Sequence, residues 1–231
     1  MAIRGRHVGV VVVALIVAAV CIRLGLWQLH RLHGRQQINA ILAVRGAEPA
    51  RDIEGSDPAS LPYAHVIATG AYDPAHEVIL SGRSLNGAPG NHVLTPLVIE
   101  DGTAVLVDRG WVPLEVDTPP VIGDAAAPSG TVHIEGIALS PDASSDPAPS
   151  PAASITTRID LGISGLPYDV MPVYVLLATQ RPTQALPVPA PPPTPDEGPH
   201  FSYMLQWFAF ATIALVGGAV LLRRDPRTPA E

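Results

Sequence analysis

The sequence predicts a two-span membrane helical hairpin that carries an extracytoplasmic, mainly antiparallel β domain, of α+β or small-barrel type. Three observations predict it. An apolar run lies near each end of the 231 residues, the segment between the runs has the periodicity of strands, and the arginines favour the outer flanks of the two runs.

The first span, 8–29, opens with VGVVVVALIVAAVCI and continues past Arg23 through LGLWQL; the second, 203–222, is YMLQWFAFATIALVGGAVLL. At about 1.5 Å of rise per residue each reaches the roughly 30 Å of a bilayer's hydrocarbon core. A helix buried in a soluble core is usually shorter and keeps a polar stripe, which neither run has. Arg4 and Arg6 also suit a secretory signal, but no small-x-small site closes the first run. A lipoprotein site at Cys21 fails because Val20 stands where that processing wants a small residue.

The chain has no lysine, so arginine alone sets orientation. Arg4 and Arg6 precede the first span and Arg223, Arg224 and Arg227 follow the second, against Arg31 and Arg35 at the near end of the connecting segment. Both termini are therefore expected in the cytoplasm. Trp27 and Trp207 agree, since both then mark the outer interface. Arg23 lies about a turn inside Trp27, where it either snorkels outward or faces a partner or an anionic ligand.

Between Gln36 and Ser202 stand 6 Arg against 19 Asp and Glu, a balance of −13, while the rest of the chain carries +6. An acidic domain lacks the basic footprint that nucleic acid requires. The single cysteine, Cys21, rules out an intrachain disulfide and a thiolate metal cluster.

The outer domain, 36–186, reads as strands at Ala64–Gly70, Glu77–Arg83, His92–Ile99, Thr103–Val112, Thr131–Leu139 and Val173–Gln180. Glu100-Asp101-Gly102 has the composition of a hairpin turn. Short helices are expected at Gln37–Val44 or in ITTRIDLGIS. Pro141–Ser154 is a Pro/Ser/Ala-rich loop, and 187–199 is a proline-stiffened connector returning to the second span.

His200 is the position with most chemical interest, because it stands where the connector meets the second span. An imidazole there can ligate haem iron, bind a metal or contact lipid headgroups. His30 and His33 lie at the matching depth after the first span. Arg109 and Arg83 end strands, where a guanidinium either binds a propionate or phosphate or pairs with Asp108, Asp101 or a terminus. Ser81, Ser84 and Ser202 have no assignable histidine and acid, so the chain does not read as a hydrolase or any other enzyme.

Five segments in order resemble the SURF1 family of cytochrome c oxidase assembly factors, called Shy1 in yeast. LGLWQLHRL is similar to the family's L-G-x-W-Q-x-x-R signature, with Gly25, Trp27, Gln28 and Arg31 in place. TGAYDPAHEVILSGR and PGNHVLTPLVIEDGTAVLVDRGWVP resemble its central strands, PVYVLL its last strand, and HFSYMLQWFAFATIALVG its H-x-x-Y-x-x-Q-W opening of the second span. Asn91 stands where an aromatic is common and Asp108 where asparagine is common.

The resemblance implies a non-enzymatic factor that assists insertion of haem A into the oxidase catalytic subunit. It implies His200 as iron ligand, Arg31 and Arg23 on the propionates or on the partner subunit, and Trp27, Tyr203 and Trp207 packing the macrocycle or anchoring the interface. The partners expected are the cytochrome c oxidase catalytic subunit, haem A synthase and the lipid bilayer. The alternative is a scaffold that stabilises an oxidase intermediate, or stays with the complex, without holding haem. Absence of lysine beside abundant Ala, Arg and Pro points to a GC-rich bacterial genome, hence to the plasma membrane.

Overall fold

The computed structural model describes residues 2–99, 102–142, 155–159 and 166–223, with side chains from His7 onward. It divides into a helical unit, Met1–Ala40 with Pro195–Glu231, and a sheet unit, Ile41–Thr194. The expected turn residues Glu100 and Asp101, most of the Pro/Ser/Ala-rich loop, residues 160–165 and Arg224 and Arg227 lie outside the described residues.

The helical unit is built from two helices long and apolar enough to cross a bilayer. The first, α1, runs Ala2–Arg45 without a break and the second, α2, runs His200–Arg223. The short helix expected at Gln37–Val44 is therefore the last part of α1. Its polar surface ends the apolar run, but nothing in QQINAILAVR breaks a helix: no proline or glycine occurs between Arg35 and Arg45. At 44 residues α1 is about 66 Å long, so much of it extends beyond a hydrocarbon core of roughly 30 Å.

Contacts between α1 and α2 run in opposite directions along the chain. A Cβ on Gly218 would lie 2.9 Å from that of Ala14, and one on Gly25 would lie 2.9 Å from the Phe208 ring. The buried positions of α1 are Ala18, Cys21, Gly25, Gln28 and Leu32, spaced alternately three and four apart. On α2 the covered positions Met204, Trp207, Ala211, Ala214 and Gly218 repeat that spacing. Such a seam makes two helices supercoil left-handedly, and its small residues allow the close approach that replaces hydrophobic drive inside lipid.

The sheet unit holds one eight-stranded sheet. Its strands are β1 (Arg51–Asp52), β2 (His65–Tyr72), β3 (Val78–Leu85), β4 (Ala88–Ile99), β5 (Ala104–Pro113), β6 (Thr131–Leu139), β7 (Ile155–Thr156) and β8 (Val170–Arg181), in the order β1-β2-β6-β8-β5-β4-β3-β7. The sheet is mixed, because β1–β2, β3–β7 and β5–β8 are parallel while the other pairs are antiparallel. A further antiparallel pairing sets Gly70, Ala71 and Tyr72 of β2 opposite Ile99, Val98 and Leu97 of β4. It makes β2, β6, β8, β5 and β4 a cycle of hydrogen-bonded neighbours.

Both faces of β4 and β5 are covered. Leu97, Val105 and Val107 join Val66, Val132 and Val175 in the main core, while Leu94 and Leu106 pack with Val78 and Leu80 on the other side. That is why β5 reads AVLV without alternation: a strand buried on both faces needs apolar residues at every position. In β6, where one face is open, buried Val132, Ile134, Gly136 and Ala138 alternate with exposed or half-exposed residues. The connector joins this unit through Val188, whose N–H and C=O pair with those of Trp111 at 2.8 and 2.7 Å.

Candidate functional site

At one end of the helical unit the seam turns polar. Pro199 leads into α2, where the N–H of Tyr203 and the hydroxyl of Ser202 both donate to the Pro199 carbonyl, at 3.1 and 2.9 Å. Just before it, Gly198 takes φ +63 and donates its N–H to Asp196 Oδ1 at 2.8 Å. This left-handed step suits glycine. It turns the chain so that His200, the first helical residue, reaches α1: His200 Nδ1 lies 2.8 Å from Gln28 Oε1.

Two further bonds tie the same strip of α1 to the chain entering α2. Gln36 Nε2 donates to Glu197 Oε1 at 3.2 Å, and Asn39 Oδ1 accepts from the Asp196 N–H at 3.2 Å. Gln28, Leu32, Gln36 and Asn39 continue the seam's spacing of three to four, so a strip that is small and apolar at Ala18 and Gly25 becomes hydrogen-bonding beyond them. Gln28 is 9% exposed and His200 is half-buried. His200 Nε2 makes no hydrogen bond among the described residues.

Tyr203 and Trp207, three and seven residues after His200, share its face of α2. Tyr203 is exposed, whereas Trp207 packs on Ala18, Cys21 and Ala211 and meets Phe210 edge-on at 6.0 Å. On α1 the Arg31 guanidinium stands 5.5 Å from the centre of the exposed Trp27 ring, a cation–π distance. Arg23 turns elsewhere. With Ile22, Leu26, Trp27 and His30 it lines an open hollow of about 780 Å³. Arg23 lies five residues before Gln28, about 140° round the helix, and His30 about 160° round. The structure thus sets His200, Tyr203 and Trp207 along one face of α2, places Arg31 on Trp27, and puts Arg23 and His30 with Trp27 around the hollow, on the far side of α1 from Gln28. No group of three metal-binding side chains forms among the described residues, so His30, His33 and His200 do not converge.

Gln28 was not among the residues the sequence marked as candidates. The available signals were its marked place in LGLWQLHRL and its position in the three-four repeat that also holds Gly25 and Leu32.

Arg109, expected either to bind a propionate or phosphate or to pair with Asp108, Asp101 or a terminus, pairs instead with Glu77. Arg109 is fully buried, and its Nη1 donates to Glu77 Oε1 at 3.2 Å. Its Nη2 reaches the carbonyls of Ala125 and Ala126 and Gln184 Oε1 at 2.9–3.1 Å. Glu77 also accepts from Thr95 Oγ1 at 2.9 Å and from the Val121 N–H at 2.8 Å. Tyr72 lies beneath the guanidinium, 5.3 Å from ring centre to Cζ, and donates to Gln180. Burial lowers the Arg109 pKa and raises that of Tyr72, each opposed by attraction between charges nearby. Sequence reasoning missed Glu77 because it lies 32 residues from Arg109, just before β3, a strand that is not a neighbour of β5 in the sheet.

Asp108, where the resemblance had asparagine, accepts from His92 Nδ1 at 2.9 Å and from the Gly110 N–H at 3.0 Å, both side chains nearly buried. Asn91 donates to the carbonyls of Leu114 and Val116 at 3.4 and 3.0 Å. Nearer the surface, burial alone would push the Asp73 carboxyl up. Hydrogen bonds from His76, Tyr168 and the Ala75 N–H outweigh it and hold the pKa below its ordinary 3.8.

The family model described as the SURF1 family matches residues 15–212. A SURF1-like protein of Monosiga brevicollis is 26% identical over 224 residues, covering 90% of this chain and 85% of that one. A SURF1-like protein of Rickettsia felis is 35% identical over 102 residues, 43% of this chain and 44% of its own. An uncharacterized SURF1-like protein of Mycobacterium tuberculosis is 29% identical over 168 residues, 67% of this chain and 58% of its own.

Proposed function

The chain belongs to the SURF1 family, and on that premise we propose that it is a non-enzymatic assembly factor of haem-copper oxidases that holds haem A for the catalytic subunit. The observation that carries this reading is the half-buried His200, anchored through Nδ1 and free at Nε2. An imidazole so held suits a haem iron, whose proximal ligands are commonly histidines with the second ring nitrogen hydrogen-bonded.

The donor set fits the group on three counts. His200 would offer a nitrogen to iron; the exposed Tyr203 and Phe201 would offer apolar area for a macrocycle; Arg31 would offer a cation to a propionate. Haem A, when bound, supplies iron and porphyrin to the oxidase, and the residues of this chain hold it and keep its apolar body from water. Arg23, turned away from His200, is assigned to the partner subunit. In this reading both termini are cytoplasmic, the sheet unit is extracytoplasmic, and the membrane is a bacterial plasma membrane in which haem A synthase is a second partner.

One observation favours a second reading. The hollow lined by Arg23, Trp27 and His30 faces away from His200 and offers a partner helix both apolar surface and a cation. A scaffold needs that face alone. The experiment that separates the two is an absorption spectrum of detergent-purified protein co-expressed with haem A synthesis. A haem a signal in wild type that is lost in folded His200→Ala is the result expected. A folded wild type that captures the oxidase subunit without haem overturns the carrier and leaves the scaffold.

A further inference from the structure

The bond between Gln28 and His200 assigns a proton as well as a position. A neutral imidazole carries one N–H and one bare nitrogen, and the partner of one nitrogen decides the state of the other. A side-chain carbonyl has only lone pairs to offer. Facing Gln28 Oε1 at 2.8 Å, Nδ1 must therefore be the donor, which leaves Nε2 with its lone pair. We propose that Gln28 is a positioning residue for His200: it fixes the tautomer with the proton on Nδ1 and presents Nε2 as the atom that binds iron. The iron half of this assignment rests on the haem-carrying function proposed above.

Three features of the helical unit support it. Gln28 is itself nearly buried in the seam between Gly25 and Leu32, so its amide is held by packing against α2. The bonds Gln36–Glu197 and Asn39–Asp196 fix the chain that delivers His200, and with it the ring's approach to Gln28. Gly198, whose φ of +63 turns the chain, lies beside the ring, where a Cβ would stand in ordinary contact 3.4 Å from Cδ2 and 3.6 Å from Nε2. A hydrogen bond from Nδ1–H to a neutral amide also makes Nε2 more basic, and so a better donor to a ferric iron.

The proton assignment is testable without haem. In detergent-solubilised full-length protein labelled with ¹⁵N-histidine, His200→Ala identifies the His200 signals. The expected result is a protonated Nδ1 and a bare Nε2, retained in Gln28→Glu, where the acceptor persists, and shifted toward the Nε2–H form in Gln28→Leu. A His200 that carries its proton on Nε2 in wild type, with Nδ1 accepting from the Gln28 amide N–H, overturns the proposal.

Titration with haem A tests the iron half. Gln28→Leu is expected to bind ~10-fold or more weakly than wild type. The reduction potential should fall in the order Gln28→Leu, wild type, Gln28→Glu. Equal affinity and equal potential in the three folded proteins sink the role of Gln28 while the carrier stands. No uptake by wild type sinks the carrier, and the iron half with it, and leaves the tautomer to be decided by the nitrogen spectrum.

Discussion

The two units treat buried polar groups in opposite ways. In the sheet unit Arg109 and Glu77 are wholly enclosed, and between them they engage Thr95, Val121, Ala125, Ala126 and Gln184. In the helical unit one amide faces one imidazole. A charge locked in by many partners is costly to disturb, whereas a ring held at a single nitrogen depends on one bond for its setting. Arg109 of R-G-W-V-P thus serves the packing of the sheet unit, whereas His200 keeps one ring nitrogen without a hydrogen bond among the described residues.

The sharpest test of that contrast is Glu77→Ala. It strands a guanidinium with no counter-charge in a fully buried site, and a loss of roughly 3–5 kcal/mol is expected, enough to unfold the sheet unit of a marginal protein. Denaturant unfolding followed by near-ultraviolet circular dichroism measures it. Replacing both partners, as Glu77→Leu with Arg109→Met, should recover part of the loss; a double replacement no better than the single one breaks the comparison.

Gly110→Ala comes next. Gly110 adopts φ +111, and a Cβ would fall 2.1 Å from the Val188 carbonyl oxygen. The expected cost is roughly 1–3 kcal/mol by the same unfolding measurement, with loss of the pairing between Trp111 and the connector.

In the helical unit Gly25→Leu forces extra volume against Phe208. A cost of roughly 1–2 kcal/mol should appear as a wider separation of spin labels on α1 and α2. The unfolding midpoint of the sheet unit should stay put, because Gly25 and Phe208 both belong to the helical unit. A fall in that midpoint would show that the units are not separable in the way described.

The smallest effect belongs to Asp73. Its folded pKa is depressed, so its contribution to stability is complete above 3.8, the unfolded value, and is lost as pH falls through the lower folded value. Asp73→Asn should change stability by less than ~1 kcal/mol at neutral pH, since the carboxylate is partly exposed. It should also flatten the acid limb below pH 4. An unchanged acid limb would show that His76 and Tyr168 hold nothing in place.

Much of this was legible in the sequence, and the parts that were not have physical causes. The strand expected at Thr131–Leu139 is β6 with the same ends, because alternation along an open face marks each residue. The strand expected at His92–Ile99 begins earlier, at Ala88, since PGN lies beyond the apolar signal although its backbone still pairs with β5. The two-residue strands β1 and β7 have no period to detect, and Ile155–Thr156 falls in a segment whose residues suggested a helix. Parallel pairing of β5 with β8 is set by the path of intervening chain, which composition does not encode. Of the site, His200 was visible from its place at the span boundary. Its partner was not, because 172 residues separate the two.

The seam carries a consequence for how the helices slide. Gly25 admits the Phe208 ring and Gly218 faces Ala14, so a shift of α2 along α1 by one turn, about 5.4 Å, would move that ring off the glycine that leaves room for it. The same shift parts Gln28 from His200 and Asn39 from Asp196 at once. Apolar fit and polar bonds therefore act together as the vernier of the helix pair: both mark the same axial setting.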